Sequence, residues 1–340
     1  MPLPAGILIV TDMTPAKVLV TGSAGHLGDA LTRVLRDRGY QVTGLDLLDS
    51  PGTDVIGSIT DRDLVRSCLA GVSAVLHTAT LHKPHVASHR QQDFVDTNVT
   101  GTLTLAEEAA AAGVTSFVFT SSTSAFGRAL TPAAGQPAAW ITEDVAPVPR
   151  NIYGVTKTAA ENLCEIIQRD RGLPVVVLRT ARFFPEADDA DEVRQAYDDG
   201  NIKANEYLYR RVDLQDVADA HLLAMERAPQ IGFGRYIISA TTPFTRDDLA
   251  ELRTAAPEVV RHRFPDFENV YASRGWRMFP GIGRVYVNAK ARAELGWKPA
   301  YGFRQVLDAL QENRDFRSPL ALSIGRKGYH AESTGIYTAR

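Results

Sequence analysis

Thr21-Gly22-Ser23-Ala24-Gly25-His26-Leu27-Gly28 follows directly on Lys17-Val18-Leu19-Val20. An apolar strand runs into a glycine-rich turn, and Asp29 to Arg38 continue as a helix. That order builds a dinucleotide site. Glycines let the backbone approach a pyrophosphate, and the helix N-terminus offers unpaired N–H groups and a partial positive charge. The spacing is G-x-x-G-x-x-G. Val42 to Leu45 then reads as a second strand ending at Asp46. A carboxylate about 20 residues past the glycines can accept the adenosine ribose hydroxyls. It would also repel a 2′-phosphate, and no lysine or arginine follows in Leu47-Leu48-Asp49 to hold one.

Composition narrows the remaining choices. The chain has 340 residues, 44% of them hydrophobic, enough for a large core. A net charge of −3 argues against a nucleic-acid or membrane-surface binder. No apolar run reaches the length of a membrane span. Cys68 and Cys164 are the only cysteines, and each falls within an amphipathic helical pattern. Two reduced, buried thiols and a cytoplasmic location are expected. Residues 1–16 are expected to be a disordered N-terminal extension, with Met13 as an alternative start.

From Lys17 to Arg179, short apolar runs alternate with helical patterns. The runs are 17–21, 41–45, 74–77, 116–121 and 174–179; the helices are 25–38, 61–70, about 90–112 and 152–171. The fold class predicted is α/β, a Rossmann-type doubly wound parallel sheet with a small mixed C-terminal substrate cap. Ligands should sit at the carboxyl ends of the strands. The expected division is a dinucleotide-binding domain over 17–180, with parts of 205–240 returning to it. A cap mainly over 181–312 and a tail over 313–340 complete the chain. The tail could wrap the body, join a partner or stay disordered.

Tyr153 and Lys157 lie four apart on a helix and share a face. A phenol with pKa near 10 is a poor base at neutral pH. A neighbouring ammonium is expected to lower that value, fitting Tyr153 to exchange a proton with a substrate alcohol.

These motifs, in this order, resemble the extended short-chain dehydrogenase/reductase family, in its NAD-dependent epimerase/dehydratase branch. Ala74-Val75-Leu76-His77-Thr78-Ala79 is similar to the fourth strand and its cofactor-facing end. Asn98-Val99-Thr100-Gly101-Thr102 resembles the N-V-x-G-T helix. Phe117 to Ser122 with Phe126-Gly127 resembles the strand bearing the catalytic hydroxyl, and Ala293 to Pro299 resembles E-L-G-W-x-P. The resemblance spans roughly Lys17 to Leu310.

The resemblance implies NAD as cofactor, a small sugar-like substrate, a homodimer, and no metal. It implies Ser122, Tyr153 and Lys157 as catalytic residues. It places Gly22, Ala24, Gly25, His26, Leu27, Gly28, Asp46, His77, Ala79 and Asn98 around the cofactor, with Tyr153 and Lys157. Lys157 would hold the nicotinamide ribose. For His77 itself, a structural, hydrogen-bonded histidine is the stronger reading. Thr123 takes the role of Ser122 if the strand register slips by one. His82, Lys83, Thr123 and Arg182 are the candidate substrate contacts. His85 and His89 have helical spacing that could suit a metal, but no third ligand stands at fixed spacing.

Arg182 stands where sugar-nucleotide epimerases usually carry asparagine, and Arg182 to Glu186 resembles uronate dehydrogenases. It either meets a substrate anion or pairs with the acidic stretch Asp188 to Glu192. The family's R-D-x-x-H-V-x-D pattern is degraded to Arg210 to Asp216, and Phe126 replaces a frequent tyrosine. Three functions fit. One is a nucleotide-sugar 4-epimerase-like cycle that regenerates NAD. Another is a dehydrogenase of a free sugar acid or other small alcohol that releases NADH. The third is a non-catalytic NAD-binding regulator.

Overall fold

Val18, Leu19 and Val20 are fully buried, and they point in alternation to two different cores. Val18 and Val20 pack with Leu31, Leu35, Val217 and Leu222. Leu19 packs with Val75, Leu105, Phe117 and Ile167. A strand covered on both faces needs helices on both sides, which is the doubly wound arrangement. The computed structural model describes residues 16–327. It contains a seven-stranded parallel sheet in the order β3-β2-β1-β4-β5-β7-β8.

In chain order the strands are β1 (Lys17–Thr21), β2 (Gln41–Asp46), β3 (Val55–Ile56), β4 (Ala74–His77), β5 (Ser116–Ser122), β6 (Ala139–Ile141), β7 (Val175–Thr180), β8 (Phe233–Ile238) and β9 (Arg284–Tyr286). The helices flanking the sheet are α1 (His26–Asp37), α2 (Arg62–Cys68), α3 (Gln91–Phe94), α4 (Gly101–Ala111) and α5 (Ile152–Arg171). Helices α6 (Asp191–Ala196), α7 (Asp199–Glu206) and α8 (Leu214–Ile231) link β7 to β8. The order reverses between β1 and β4, and a ligand crevice opens at such a switch point.

A helix over about 90–112 is expected, and residues 91–111 are continuously helical. A π-helical turn over Val95–Thr100 joins α3 to α4 without a break. Such turns often mark functional sites. Here the turn carries Asn98, described below.

A second apolar cluster gathers Leu208, Phe244, Leu252, Val260, Phe267, Tyr271, Phe303 and Leu307. Above it, β6 and β9 form a two-stranded parallel pair, with Trp140 opposite Val285. That pair has no counterpart in the sequence expectations.

Residues 313–327 wrap the body. Phe316 and Ile324 are buried, and Ser318 caps a short helix, Pro319–Ile324. Lys327 reaches α1, where its ammonium pairs with Asp29. The expectations for residues 1–15 and 328–340 fall outside the described residues. Cys68 and Cys164 are free and buried. No helix among the described residues is long and apolar enough to cross a membrane.

Candidate active site

The glycine turn is shaped by close approach. Gly22 has φ +75°, and a Cβ there would lie 2.6 Å from the Ala79 nitrogen. A Cβ on Gly28 would overlap the Gly22 carbonyl, so only glycine lets α1 start this close to β1. No side chain caps the N-terminus of α1. Its first-turn N–H groups therefore suit an anion, as a pyrophosphate requires. The Asp46 carboxylate accepts from Ala24 N at 3.0 Å and Leu48 N at 3.0 Å, which ties the turn to the end of β2. Gly22, Ala24, Gly25, His26, Leu27, Gly28, Asp46 and Ala79 all line one cleft of about 650 Å³. A narrow backbone cradle, an uncapped helix and a carboxylate at the strand end fit NAD.

Two residues expected at the cofactor lie elsewhere. His77 is fully buried and does not line the cleft. Its ring nitrogens pair with Thr21 Oγ1 at 2.7 Å and Thr102 Oγ1 at 2.9 Å. Burial, with a smaller push from Lys157, lowers its pKa to about 3, so it is neutral. Asn98 also spends its whole amide inside the protein. Its oxygen accepts from Leu81 N and Thr80 Oγ1, and its nitrogen donates to Leu81 O and Thr156 Oγ1. The residue ties the loop after β4 to α5. In both cases the side chain spends its hydrogen bonds on buried protein partners.

Ser122, Thr123, Tyr153 and Lys157 line the same cleft. Asn151 caps α5 by accepting from Gly154 N at 3.0 Å, so Tyr153 sits in the first turn. The Ser122 hydroxyl lies near enough to the Tyr153 phenol to favour its ionised form. Behind them, Glu161 is buried against Arg179 at 2.8 Å and accepts from Ser121 Oγ at 2.5 Å. This pair locks β5, α5 and β7 together and holds Ser122 and Tyr153 in register.

Burial dominates the ionisation of Tyr153 and Lys157 in the cofactor-free chain. Burial pushes the Tyr153 phenol up to about 12, with the Ser122 hydroxyl opposing. Burial pulls Lys157 down to about 7, against the opposing effects of Glu161 and Cys164. The Lys157 ammonium donates to Thr120 O at 2.8 Å and lies 4.7 Å from the centroid of the Phe119 ring. Desolvation is the largest cause of both shifts.

The other end of the cleft is a wall of charge. His82 lines it, its ring centroid 6.4 Å from that of Tyr153. Lys83 pairs with Asp189. Arg182 donates to Asp188 at 2.6 Å, Asp189 at 3.0 Å and Glu206 at 3.1 Å. Of the two readings of Arg182, pairing with the acidic stretch is the one present. Arg210 pairs with Asp188 and Glu206, and Arg211 with Glu206. Burial works to raise the Glu206 pKa, but Arg210, Arg182 and Arg211 hold it well below the carboxylate range. Arg284 and Tyr286, from β9, also line this end. Sequence reading missed both, because nothing local marks a three-residue strand as part of a site. Arg210 stood in a motif that looked merely degraded.

The doubly wound parallel sheet, with Ser122, Tyr153 and Lys157 lining the cleft at its switch point, is an α/β nucleotide-binding architecture. The family model for the NAD dependent epimerase/dehydratase family matches residues 18–238, and the chain belongs to that family. It is accordingly an NAD-dependent enzyme of the epimerase/dehydratase type. The UDP-glucose 4-epimerase of Rhizobium meliloti is 28% identical over 332 residues, covering 86% of this chain and 95% of the relative. A 3 beta-hydroxysteroid dehydrogenase/Delta 5→4-isomerase of Mycobacterium tuberculosis is 26% identical, covering 86% and 88%. An NAD-bound short-chain dehydrogenase/reductase superfamily protein from Agrobacterium tumefaciens superposes with TM-score 0.62 at 25% identity, covering 87% and 97%. Relatives named for sugar-nucleotide and for steroid chemistry thus stand at similar distance.

Proposed function

We propose that this chain moves hydride at a carbinol carbon of a sugar or sugar derivative, with Tyr153 exchanging the hydroxyl proton. The observation that carries this reading is the placement of Ser122, Tyr153 and Lys157 along one cleft with the glycine turn. Ser122 holds the substrate oxygen beside the phenol. Lys157 positions the nicotinamide ribose. NAD, when bound, supplies the hydride acceptor and, in its oxidised form, a positive charge that favours the phenolate. With its pKa raised to about 12, Tyr153 keeps its proton at neutral pH in the cofactor-free protein, ready to donate it to a carbonyl oxygen. The buried Glu161–Arg179 pair fixes the distance between strand and helix on which that transfer depends.

The primary form of this reading is a nucleotide-sugar 4-epimerase-like cycle that leaves NAD unchanged. A second form, a dehydrogenase of a free sugar acid, draws support from Arg284, considered below. Nucleotide sugars and free sugar acids should be offered to the NAD-loaded protein while both NADH absorbance and epimerised product are followed. Product without NADH identifies the cycle; net NADH identifies the dehydrogenase. Tyr153→Phe should lower turnover by about 10²–10⁴ while NAD still binds, since only the proton-carrying oxygen is lost. NAD binding without any turnover, or near-normal rates in Tyr153→Phe, would overturn the proposal and leave a non-catalytic NAD-binding protein.

A further inference from the structure

Among the charged groups at the substrate end, Arg284 is the exception. Lys83, Arg182, Arg210 and Arg211 each pair with Asp188, Asp189 or Glu206. Arg284 lines the same cleft, yet its guanidinium makes no hydrogen bond or ion pair with any described residue. Its Nε is buried and unsatisfied. The side chain is supported by aromatic faces, with its guanidinium carbon 5.8 Å from the centroid of the Tyr209 ring and 5.9 Å from that of Tyr286. A guanidinium held in this way has lost freedom before any ligand arrives, so less is lost when it binds one.

We propose that Arg284 anchors a compact anionic group, a carboxylate or a phosphate, on the substrate. This rests on the reading of the cleft as the seat of hydride transfer, and it names the substrate class for that seat. Four cations line this end, Lys83, Arg182, Arg210 and Arg284, and the carboxylates paired with them are Asp188, Asp189 and Glu206. An incoming anion brings that balance closer to neutral. Arg284 also acts on Lys83: after burial, Arg182 and Arg210, it is among the charges that push the Lys83 ammonium below the ordinary lysine value. An anion between the two would relieve that repulsion. A guanidinium that is partly desolvated and lacks an acceptor forms a strong charge-assisted bond with an oxyanion. A steroid in that place would cover the same group without pairing it, which is costly. The arginine therefore separates the two substrate chemistries represented among the relatives, in favour of an acidic sugar derivative.

The test is calorimetric titration of the NADH-loaded protein with D-glucuronate, D-glucose 6-phosphate, UDP-glucose and D-glucose. At least one of the three anions should bind tenfold or more tightly than D-glucose. Which one it is separates a carboxylate from a phosphate monoester and a diphosphate. Arg284→Met keeps much of the stem's packing and removes the charge; it should bring that preference within threefold while NADH affinity holds. Arg284→Lys should retain part of the preference, and intact NADH binding in both variants reports an intact fold. Equal affinity for D-glucose and the anions, failure of all four to bind, or a preference that survives Arg284→Met overturns the assignment. Because the readout is binding, its failure is separable from that of hydride transfer. An Arg284-dependent anion site without turnover would break the catalytic reading alone. Turnover of neutral sugars with no anion preference would break only this one.

Discussion

The two ends of the cleft are built on different physical terms. The cofactor end comes from short, contiguous pieces: the glycine turn, the end of β2, and the loop after β4. Its constraints are steric and backbone-directed, as with Gly22 against Ala79 and the Ala24 N–H on Asp46. The substrate end gathers single side chains from residues 83, 182–189, 206–211 and 284. It is held by ion pairs in a low-dielectric wall. The first end should therefore fail when a methyl group is added, and the second when a charge is removed.

The largest expected effect lies at the substrate end. Glu206 is fully buried and serves three guanidiniums at once. Glu206→Gln keeps the volume and removes the charge. Removing one partner from a buried ionic network costs about 3–5 kcal/mol, because the remaining charges stay desolvated. Urea denaturation should show that loss, while NAD affinity of the folded fraction changes less than threefold. A large loss of NAD affinity would show that the two ends are one mechanical unit and that the distinction is false.

Next comes Gly22→Ala. A left-handed backbone costs roughly 1–2 kcal/mol for a residue with a Cβ. The contact with Ala79 adds to that and displaces the turn. NAD affinity should fall tenfold or more. Gly39 supplies the control: its φ is +82°, but a Cβ there meets nothing within 4 Å. Gly39→Ala should cost the strain alone and leave NAD binding unchanged. Equal loss of NAD affinity in both variants would mean that backbone strain, and not close approach, governs this end.

A smaller effect is expected at Asp46. Wild type should bind NAD more tightly than NADP, since the cleft-lining carboxylate opposes a 2′-phosphate and no cation follows it in Leu47-Leu48-Asp49. Asp46→Asn should narrow the ratio about tenfold, equivalent to about 1.4 kcal/mol. Equal or tighter NADP binding by wild type would show that Asp46 does not face the ribose.

The same contrast explains what the sequence made legible. β1, its glycine turn and α1 are encoded by adjacent residues, and the expected and observed boundaries agree within a residue or so. The parallel core strands announce themselves as continuous apolar runs because both their faces are covered. The β6–β9 pair joins residues 139–141 to 284–286 in three-residue strands, too short for any periodicity to register. The π-helical turn at Val95–Thr100 lies inside a helix whose sequence pattern shows no change of period. At the site, the residue types at His77 and Asn98 are readable, but the direction of their side chains is set by Thr21, Thr102, Leu81 and Thr156. Arg182 has its carboxylates within seven residues, so pairing was one of two open readings. Arg284 has no local signal; only the folded chain brings it into the cleft.

The finest test concerns Lys157, which lies between the two ends. Its ammonium is buried, donates to Thr120 O at 2.8 Å, and has its pKa lowered to about 7. An unfolded lysine titrates near 10.4. Between about pH 7 and pH 10 the unfolded chain therefore binds more protons at this position than the folded one. Stability contributed here rises with pH through that window and is level below it, where both states are protonated. The rise between pH 7 and pH 8 is about 1 kcal/mol. Lys157→Met carries no such proton. Measured by urea denaturation from pH 6 to pH 9, the stability of wild type relative to Lys157→Met should move in favour of wild type as pH rises. Parallel pH curves would mean that the ammonium keeps its charge, held by the Thr120 carbonyl and the nearby Glu161. In that case Lys157 would behave like the compensated cations of the substrate wall, and burial alone would not separate the two ends of the cleft.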